Sequence, residues 1–345
     1  MDYEKYMHRC LHLAKLGVPN AFPNPLVGSV IVHNNKIIGE GYHKTYGKSH
    51  AEVNAINAVQ NQELLKSSTL FVNLEPCNHY GKTPPCTKLI IEKGIPEVVI
   101  GCIDSCEKVC GSGIKTLKEA GVKVKLEVLE KESLEINKRF FTFQKHKRPY
   151  IILKWAQTSD GFIDIDRSKE KYDREKHWIT GKAAQQLVHQ WRAEETAILV
   201  GGKTANNDNP QLNTRLIEGK NPLRIILSEN EILKEELKIF KDKIPTIIYS
   251  RTNYNYVHIE NVMLPEQDVL DFVLNDLYKR KTTSLIVEGG RKILDSFIQQ
   301  KLWDEARIFT GNKEFQTGIK APNINGETVS SYSIEYDKYQ QLINK

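Results

Sequence analysis

Nowhere in the 345 residues is there an apolar run of the roughly 18 to 20 residues that would span a bilayer. The first ten residues, MDYEKYMHRC, carry acidic and polar side chains where a secretory signal needs an apolar core. Both absences lead us to expect a soluble cytoplasmic protein with no membrane partner. Cysteine is sparse as well: six residues, all within the first 110 positions and none after them. That density does not build the disulfide scaffold of a small secreted domain. The second part of the chain lacks any charge excess, since residues 150–345 hold 28 Lys+Arg and 28 Asp+Glu, whereas residues 1–149 hold 21 against 15. A nucleic-acid groove needs interleaved basic and aromatic groups, and the balanced second part argues against one. Five of the basic residues, Lys138, Arg139, Lys145, Lys147 and Arg148, form one local run, read as a solvated linker. The rest of the surplus suits an anionic small substrate. There is no internal repeat and no low-complexity tract.

A chain of this length exceeds one hydrophobic core, so two domains are expected. Apolar residues at Tyr3, Met7, Cys10, Leu11 and Ala14 define one helical face that ends at Gly17. Residues 26–32 and 36–39 read as strands joined at Asn34-Asn35, a pair that tolerates positive φ in a tight hairpin. Further helices are predicted at 50–59, 85–93 and 114–120, and strands at 69–74, 97–103 and 122–128. A second strand series covers 150–155, 197–200, 223–227, 246–249 and 285–287, with helical stretches between. Alternating strands and helices imply sheets covered by helices. Charge density, Pro149 and the restart of the strand pattern coincide near residues 140–149, giving expected domains of 1–145 and 146–345.

The strongest chemical signal is His50-Ala51-Glu52, followed by Glu75-Pro76-Cys77 and, after eight intervening residues, Cys86 behind Pro84-Pro85. His50, Cys77 and Cys86 are three zinc ligands that leave a fourth tetrahedral position for water, as hydrolytic zinc requires. Glu52 is then free to act as general base and general acid. The pattern resembles the His-x-Glu and Pro-Cys-x-x-Cys signature of zinc-dependent deaminases, with a longer interval between the cysteines. Two positions apart, His50 and Glu52 lie on different sides of a regular helix, so both reach one ion only from an irregular first turn. Ser49-x-x-Glu52 also matches a helix capping box. His79 is an alternative ligand or a substrate contact. Cys102, Cys106 and Cys110, spaced by four, mimic a second metal site but lack a fourth partner.

With Pro23-Asn24-Pro25-Leu26-Val27-Gly28, Gly39-Glu40-Gly41-Tyr42-His43 and Gly81-Lys82-Thr83-Pro84-Pro85-Cys86 added, the pattern closely resembles the bifunctional deaminase/reductase family of riboflavin biosynthesis. The long interval between the two cysteines resembles that branch rather than nucleoside or nucleic-acid deaminases. Asn24, His43 and Lys82 are by this resemblance substrate contacts. The second part resembles the family's reductase through Lys154-Trp155-Ala156-Gln157-Thr158-Ser159-Asp160-Gly161, Trp178-Ile179-Thr180, Arg192, Gly201-Gly202-Lys203-Thr204, residues 208–215 and Val287-Glu288-Gly289-Gly290. The implied fold is α/β: a cytidine-deaminase-like α/β/α sandwich followed by a dihydrofolate-reductase-like α/β domain. The implied cofactors are Zn2+, one per chain, and NADPH. The implied partner is a phosphorylated pyrimidine that is deaminated and then reduced in its ribosyl chain; a homo-oligomer is compatible with this. Ala156, Trp178, Thr204, Asp208, Gly289 and Gly290 would line the NADPH site. Lys154, Arg192, Leu212, Arg215 and Glu288 would bind substrate, the arginines offering forks for its phosphate.

Gly202-Lys203-Thr204 ends like an NTPase phosphate loop, but position 197, where the first glycine belongs, is Ala197. Three positions depart from the family: Arg291 replaces a proline, Asn209 replaces an aspartate, and Asp104-Ser105-Cys106 lacks the usual Asp-Pro-Asn-Pro. The competing reading is a nucleic-acid or nucleoside deaminase with an appended binding domain, which leaves the reductase-like motifs without a purpose.

Overall fold

In a computed structural model, described for residues 1–80, 84–104 and 111–344, the chain divides into two compact units, Met1–Lys147 and Arg148–Lys345. Among the described residues no helix is long and apolar enough to cross a membrane.

The first unit runs α1 (Tyr3–Lys15), β1 (Gly28–His33), β2 (Lys36–Tyr42), α2 (Ala51–Ala58), β3 (Thr69–Leu74), α3 (Cys86–Glu92), β4 (Glu97–Cys102), α4 (Ser112–Glu119), β5 (Lys123–Lys125), α5 (Glu130–Ile136) and α6 (Lys138–His146). Its five strands lie in the order β2-β1-β3-β4-β5, with β1 antiparallel to both neighbours and β3, β4 and β5 parallel. Side chains alternate across the sheet. Val30, Val32, Phe71 and Val99 pack on α1 through Tyr6, Met7, Cys10 and Leu13. Ile31, Leu70, Val72, Val98 and Ile100 pack the other way, on α2, α3 and α4. The result is a sandwich of helices around one sheet.

The second unit runs β6 (Tyr150–Gln157), β7 (Phe162–Asp164), α7 (Arg174–His177), α8 (Lys182–Glu194), β8 (Ala197–Gly201), α9 (Gly202–Asp208), β9 (Leu223–Ser228), β10 (Thr246–Ser250), β11 (Ile259–Met263), α10 (Val269–Lys279), β12 (Ser284–Gly289), α11 (Arg291–Gln299), β13 (Glu305–Thr310), β14 (Ile319–Lys320), β15 (Glu327–Ile334) and β16 (Asp337–Ile343). Nine strands form one sheet in the order β11-β10-β9-β8-β12-β6-β13-β16-β15. The first seven in that order are mutually parallel, and β16 and β15 are antiparallel additions. Helix α8 covers one face with Ala184, Val188 and Trp191, and α10 and α11 cover the other with Leu270, Val273, Leu274, Leu294 and Phe297. β12 inserts between β8 and β6, so successive crossovers part on either side of it. In such sheets ligands bind beyond the C-terminal strand ends at that point.

Several elements differ from the predicted ones. The strand expected from residue 26 starts at Gly28 because two asparagines occupy the Leu26 backbone: Asn137 accepts from its N–H (2.8 Å) and both Asn73 and Asn137 donate to its carbonyl (3.0 Å each). The strand expected over 122–128 is cut to Lys123–Lys125, and Glu127 and Leu129 take positive φ. The basic run read as a linker is the amphipathic helix α6, anchored by buried Phe140 and Phe143; their i, i+3 spacing had been obscured by the surrounding Lys and Arg.

Candidate active sites

In the first unit, α2 is pressed onto β2 because a Cβ at Gly39 or Gly41 would come within 2.4 Å of the Ala55 backbone. His50 is the N-cap residue of α2, with extended φ/ψ of −73°/166° and no side-chain capping bond, and Glu52 lies in the first turn. Ser49 is therefore not the cap of a capping box; its carbonyl instead receives the Nδ1 of His43 at 3.0 Å. The segment leaving β3 supplies Cys77, and Cys86 opens α3 behind Pro85. His50 Nδ1 lies 3.4 Å from the sulfurs of both Cys77 and Cys86, and the backbone N–H of Cys86 donates to Cys77 Sγ at 3.4 Å. All three donor atoms lie within 4.8 Å of one another. One imidazole and two sulfurs at this spacing fit a single zinc ion. His79 is exposed and stands outside the cluster.

The two thiols behave unequally. The side chain of Cys86, then that of His50, stabilises the Cys77 thiolate against the effect of burial and draws its pKa down to about 4, whereas the Cys86 thiol is pushed up by Cys77 and by burial. Glu52 is 3% exposed, and burial raises its pKa against the opposing pull of His50. Glu75, the other buried acid of the motif, is fully engaged: it accepts the backbone N–H groups of Asp104, Gly111, Gly113 and Ile114 at 2.9–3.3 Å. Asn24 reaches His43 Nε2 at 3.0 Å. The His43 and His50 rings meet edge to face at 5.5 Å. Lys82, Cys106 and Cys110 lie outside the described residues. Cys102 is a buried core thiol whose sulfur contacts the Asn73 carbonyl.

In the second unit, strand alternation puts Lys154 on the same face as Tyr150 and Ile152, and Glu288 on the face of Ile286. That is the face α8 covers. Arg192 of α8 meets Glu288 with two hydrogen bonds, Nε to Oε1 at 3.1 Å and Nη2 to Oε2 at 2.7 Å, and its Nη1 reaches the Asn213 carbonyl at 3.4 Å. Burial works against the Glu288 carboxylate, but Arg192 and Lys154 outweigh it and hold its pKa at about 2. Burial lowers the Lys154 pKa, Glu288 resists, and Arg192 adds to the lowering. Arg215 bonds the Asn213 side chain at 3.1 Å. Leu212, with a φ of 50°, is buried in the same loop. That loop is fixed from below by Arg224, fully buried, which bonds the Gln211 carbonyl at 3.2 Å and pairs with Asp242.

The glycines form a cradle. Gly290 has a φ of 74° and caps α11, and a Cβ there would lie 2.7 Å from Thr204 Oγ1; a Cβ on Gly289 would meet the backbone of Val200 and Gly201 at 2.8 Å. A helix N-terminus approached this closely by backbone and a hydroxyl fits a cofactor phosphate. Ala156 follows Trp155 near the end of β6. Trp178 follows α7, with the Arg174 guanidinium 4.8 Å above its ring. Asp208 is paired with Arg167 at 2.5 Å. The two family departures in this unit have structural work: Asn209 takes a left-handed φ of 44° at the end of α9 and accepts from the Lys238 N–H, while Arg291 donates to the carbonyls of Lys320 and Ala321. Sequence reading did not single out His189, Arg224, Asn73 or Asn137. His189 alone left a signal, three positions before Arg192 on a helical face.

Residues 1–102 match the sequence model described as the cytidine and deoxycytidylate deaminase zinc-binding region, and residues 149–313 match that of the RibD C-terminal domain. Fold and sites thus define a two-activity enzyme, a zinc-dependent deaminase joined to a reductase. Riboflavin biosynthesis protein RibD of Aquifex aeolicus is 38% identical, with 98% of this chain and 95% of that protein covered. The Synechocystis protein of the same name is 35% identical over 94% and 88%. Among solved structures, a diaminohydroxyphosphoribosylaminopyrimidine deaminase/5-amino-6-(5-phosphoribosylamino)uracil reductase from Thermotoga maritima superposes with a TM-score of 0.89 at 35% identity, covering 99% of each chain. Acinetobacter baumannii RibD gives a TM-score of 0.87 at 28% identity. The chain belongs to the RibD family of bifunctional riboflavin-biosynthesis enzymes. The match to a zinc-binding region and the three clustered donors make Zn2+ the cofactor of the deaminase activity.

Proposed function

We propose that residues 1–145 deaminate 2,5-diamino-6-(5-phosphoribosylamino)pyrimidin-4-one and that residues 146–345 reduce the product to 5-amino-6-(5-phosphoribitylamino)uracil. The observation that carries this reading is the buried carboxylate of Glu52 beside the His50, Cys77 and Cys86 donors, in one chain with a covered Arg192–Glu288–Lys154 cluster at the end of a parallel sheet.

His50, Cys77 and Cys86 hold the zinc, which when bound supplies the Lewis acidity that makes water nucleophilic near neutral pH. Glu52 takes the proton of the attacking water on a carboxylate oxygen, and its raised affinity for that proton keeps the acid form available for return. It delivers that proton to the ring nitrogen, then takes a second one from the hydroxyl added to the ring carbon and passes it to the amine, which leaves as ammonia as its C–N bond breaks and the carbonyl forms. Because Glu75 is occupied by four backbone donors, Glu52 has no competitor among the described acids of the motif. His43, kept neutral by burial and with Nδ1–H on the Ser49 carbonyl, presents Nε2 to Asn24. In this reading, carried by the family resemblance, Asn24, His43 and Lys82 orient the substrate.

In the reductase, Gly289, Gly290, Thr204, Ala156, Trp178 and Asp208 line the site of NADPH, which supplies the hydride. Lys154, Leu212 and Glu288 hold the pyrimidine and ribosyl parts, and Arg192 and Arg215 hold the phosphate. The fork of Arg192 is largely taken by Glu288, so Arg215 is the freer cation. The test is incubation of the purified enzyme with the diaminopyrimidinone substrate, with and without NADPH, and mass analysis of the products. Exchange of an amino group for oxygen without NADPH, and a further gain of two hydrogens with it, is the expected result. Hydride transfer with no deamination, or no reaction at all, would overturn the reading.

A further inference from the structure

Helix α8 carries a polar group that the reaction scheme above does not use. His189 is only 3% exposed, and its Nδ1 has no hydrogen-bond partner among the described residues. Buried ring nitrogens are nearly always paired, and an unpaired one calls for a partner from outside the protein, such as water, an ion or a ligand, or for a role in the chemistry. His189 precedes Arg192 by three positions and shares its face of α8. The charged groups around it come from four elements: Lys154 on β6, Glu288 on β12, Arg192 on α8 itself and Arg215 in the loop after α9. Three cations thus stand against one carboxylate. Arg192 and Glu288 pair through two hydrogen bonds, and Glu288 also attracts the buried Lys154. Cationic side chains still outnumber the carboxylate around a covered, unpartnered imidazole, which matches an anionic phosphate monoester.

We propose that His189 is a third recognition group for the phosphate of the reductase substrate, beside Arg192 and Arg215. The inference rests on the assignment of those two arginines to the phosphate. Its ring N–H donates to a phosphate oxygen. Without ligand, burial and then Arg192 and Arg215 keep the ring neutral, with its pKa near 4. The two negative charges of the phosphate reverse that field, so the imidazole takes one proton from solvent and becomes imidazolium, with no change in any other bond.

The test compares the full-length wild type with His189→Ala and with His189→Gln, which retains a hydrogen-bond donor, at saturating NADPH. Each is assayed on the deaminated ribosylamino phosphate and on the same compound without its phosphate. His189→Ala is expected to raise KM for the phosphorylated substrate about 10-fold with kcat within about threefold, a loss typical of one hydrogen bond to a charged group, and to leave KM for the phosphate-free compound unchanged. His189→Gln should recover most of the loss. Calorimetry in two buffers of different ionisation heat should show uptake of a proton on binding by the wild type and none by His189→Gln. Because His189 lies in the unit Arg148–Lys345, turnover of the phosphate-free compound and the thermal unfolding of the variants report folding. Equal losses on both substrates, or proton uptake that persists in His189→Gln, would overturn the proposal. If Arg215→Ala abolishes discrimination between the two substrates while His189→Ala does not, only the histidine is wrongly assigned. If neither variant alters discrimination, the phosphate reading itself fails.

Discussion

Replacing Glu52 with Gln tests the deaminase chemistry most directly, because the amide keeps the shape of the side chain and removes only its capacity to carry a proton. Glu52 is 3% exposed, so bulk water does not readily substitute for it. Glu75, the other carboxylate of the motif, spends its oxygens on four backbone N–H groups. One acid–base group contributes typically about 10²–10⁴-fold. Glu52 is assigned two proton transfers in sequence, so a loss of at least about 10⁴-fold in kcat is expected, which corresponds to about 5.5 kcal/mol of barrier. Zinc should stay bound, since His50, Cys77 and Cys86 are untouched. Reduction of pre-deaminated substrate should continue, since Lys154, Arg192 and Glu288 lie in the other compact unit. Product mass analysis for each half reaction, together with metal content, measures all three. Residual deamination within about tenfold of wild type would show that the proton travels elsewhere. Loss of zinc would make Glu52 a ligand.

Three further outcomes are expected. Gly290→Ala forces a side chain into a φ of 74° with its Cβ 2.7 Å from Thr204 Oγ1, and should raise KM for NADPH by about 10-fold or more while deamination is unchanged; an unaltered NADPH titration would remove the glycines from the cofactor site. Arg215→Ala should weaken binding of the reductase substrate and spare deamination, and equal loss of both activities in a folded variant would contradict the division of labour. Glu288 has a folded-state pKa of about 2, below that of an unfolded chain, so its stabilising effect is complete at neutral pH, begins to fall below about pH 5 and is gone below about pH 2. Unfolding measurements on wild type and Glu288→Gln should therefore differ by about 3 kcal/mol at pH 7 and by roughly half that at pH 3; a difference that ignores pH would refute the charge assignment.

What could be read from the sequence follows from how far apart the determinants lie. His50 and Glu52 are two positions apart, and Cys77 and Cys86 nine, each with prolines or an acid beside them, so the zinc cluster stood out as contiguous text. The parallel strands β8, β9, β10 and β12 also stood out, as short apolar runs. The pair β15 and β16 did not: β15 is exposed along most of its length and shows no inward-facing alternation, and what organises it is pairing with a neighbour, which leaves no periodicity. α6 was hidden by charge, since its two buried phenylalanines sit among Lys and Arg. Residues that act by reaching across the fold left least trace. Arg224 reads as one more basic residue until the carbonyls of Gln211, Ile239 and Ile244 are seen around it. His189 is a lone histidine on a helix until Lys154, Glu288 and Arg215 are brought in from elsewhere.

The grip of Asn73 and Asn137 on the Leu26 backbone bears on the order of events during synthesis. Leu26 sits beside Asn24, yet one of its two anchors is 111 positions downstream. At translation rates of about 5–20 residues per second, roughly 6 to 20 s separate the emergence of the two. Asn73 follows 47 positions after Leu26 and can then bind its carbonyl, but until Asn137 emerges its N–H lacks the acceptor it has in the folded unit. The deaminase pocket is consequently a late product of a growing chain. A fragment ending at residue 102, where the deaminase-like match stops, would carry all three zinc donors and Glu52 and still lack the anchor that sets the loop beside them.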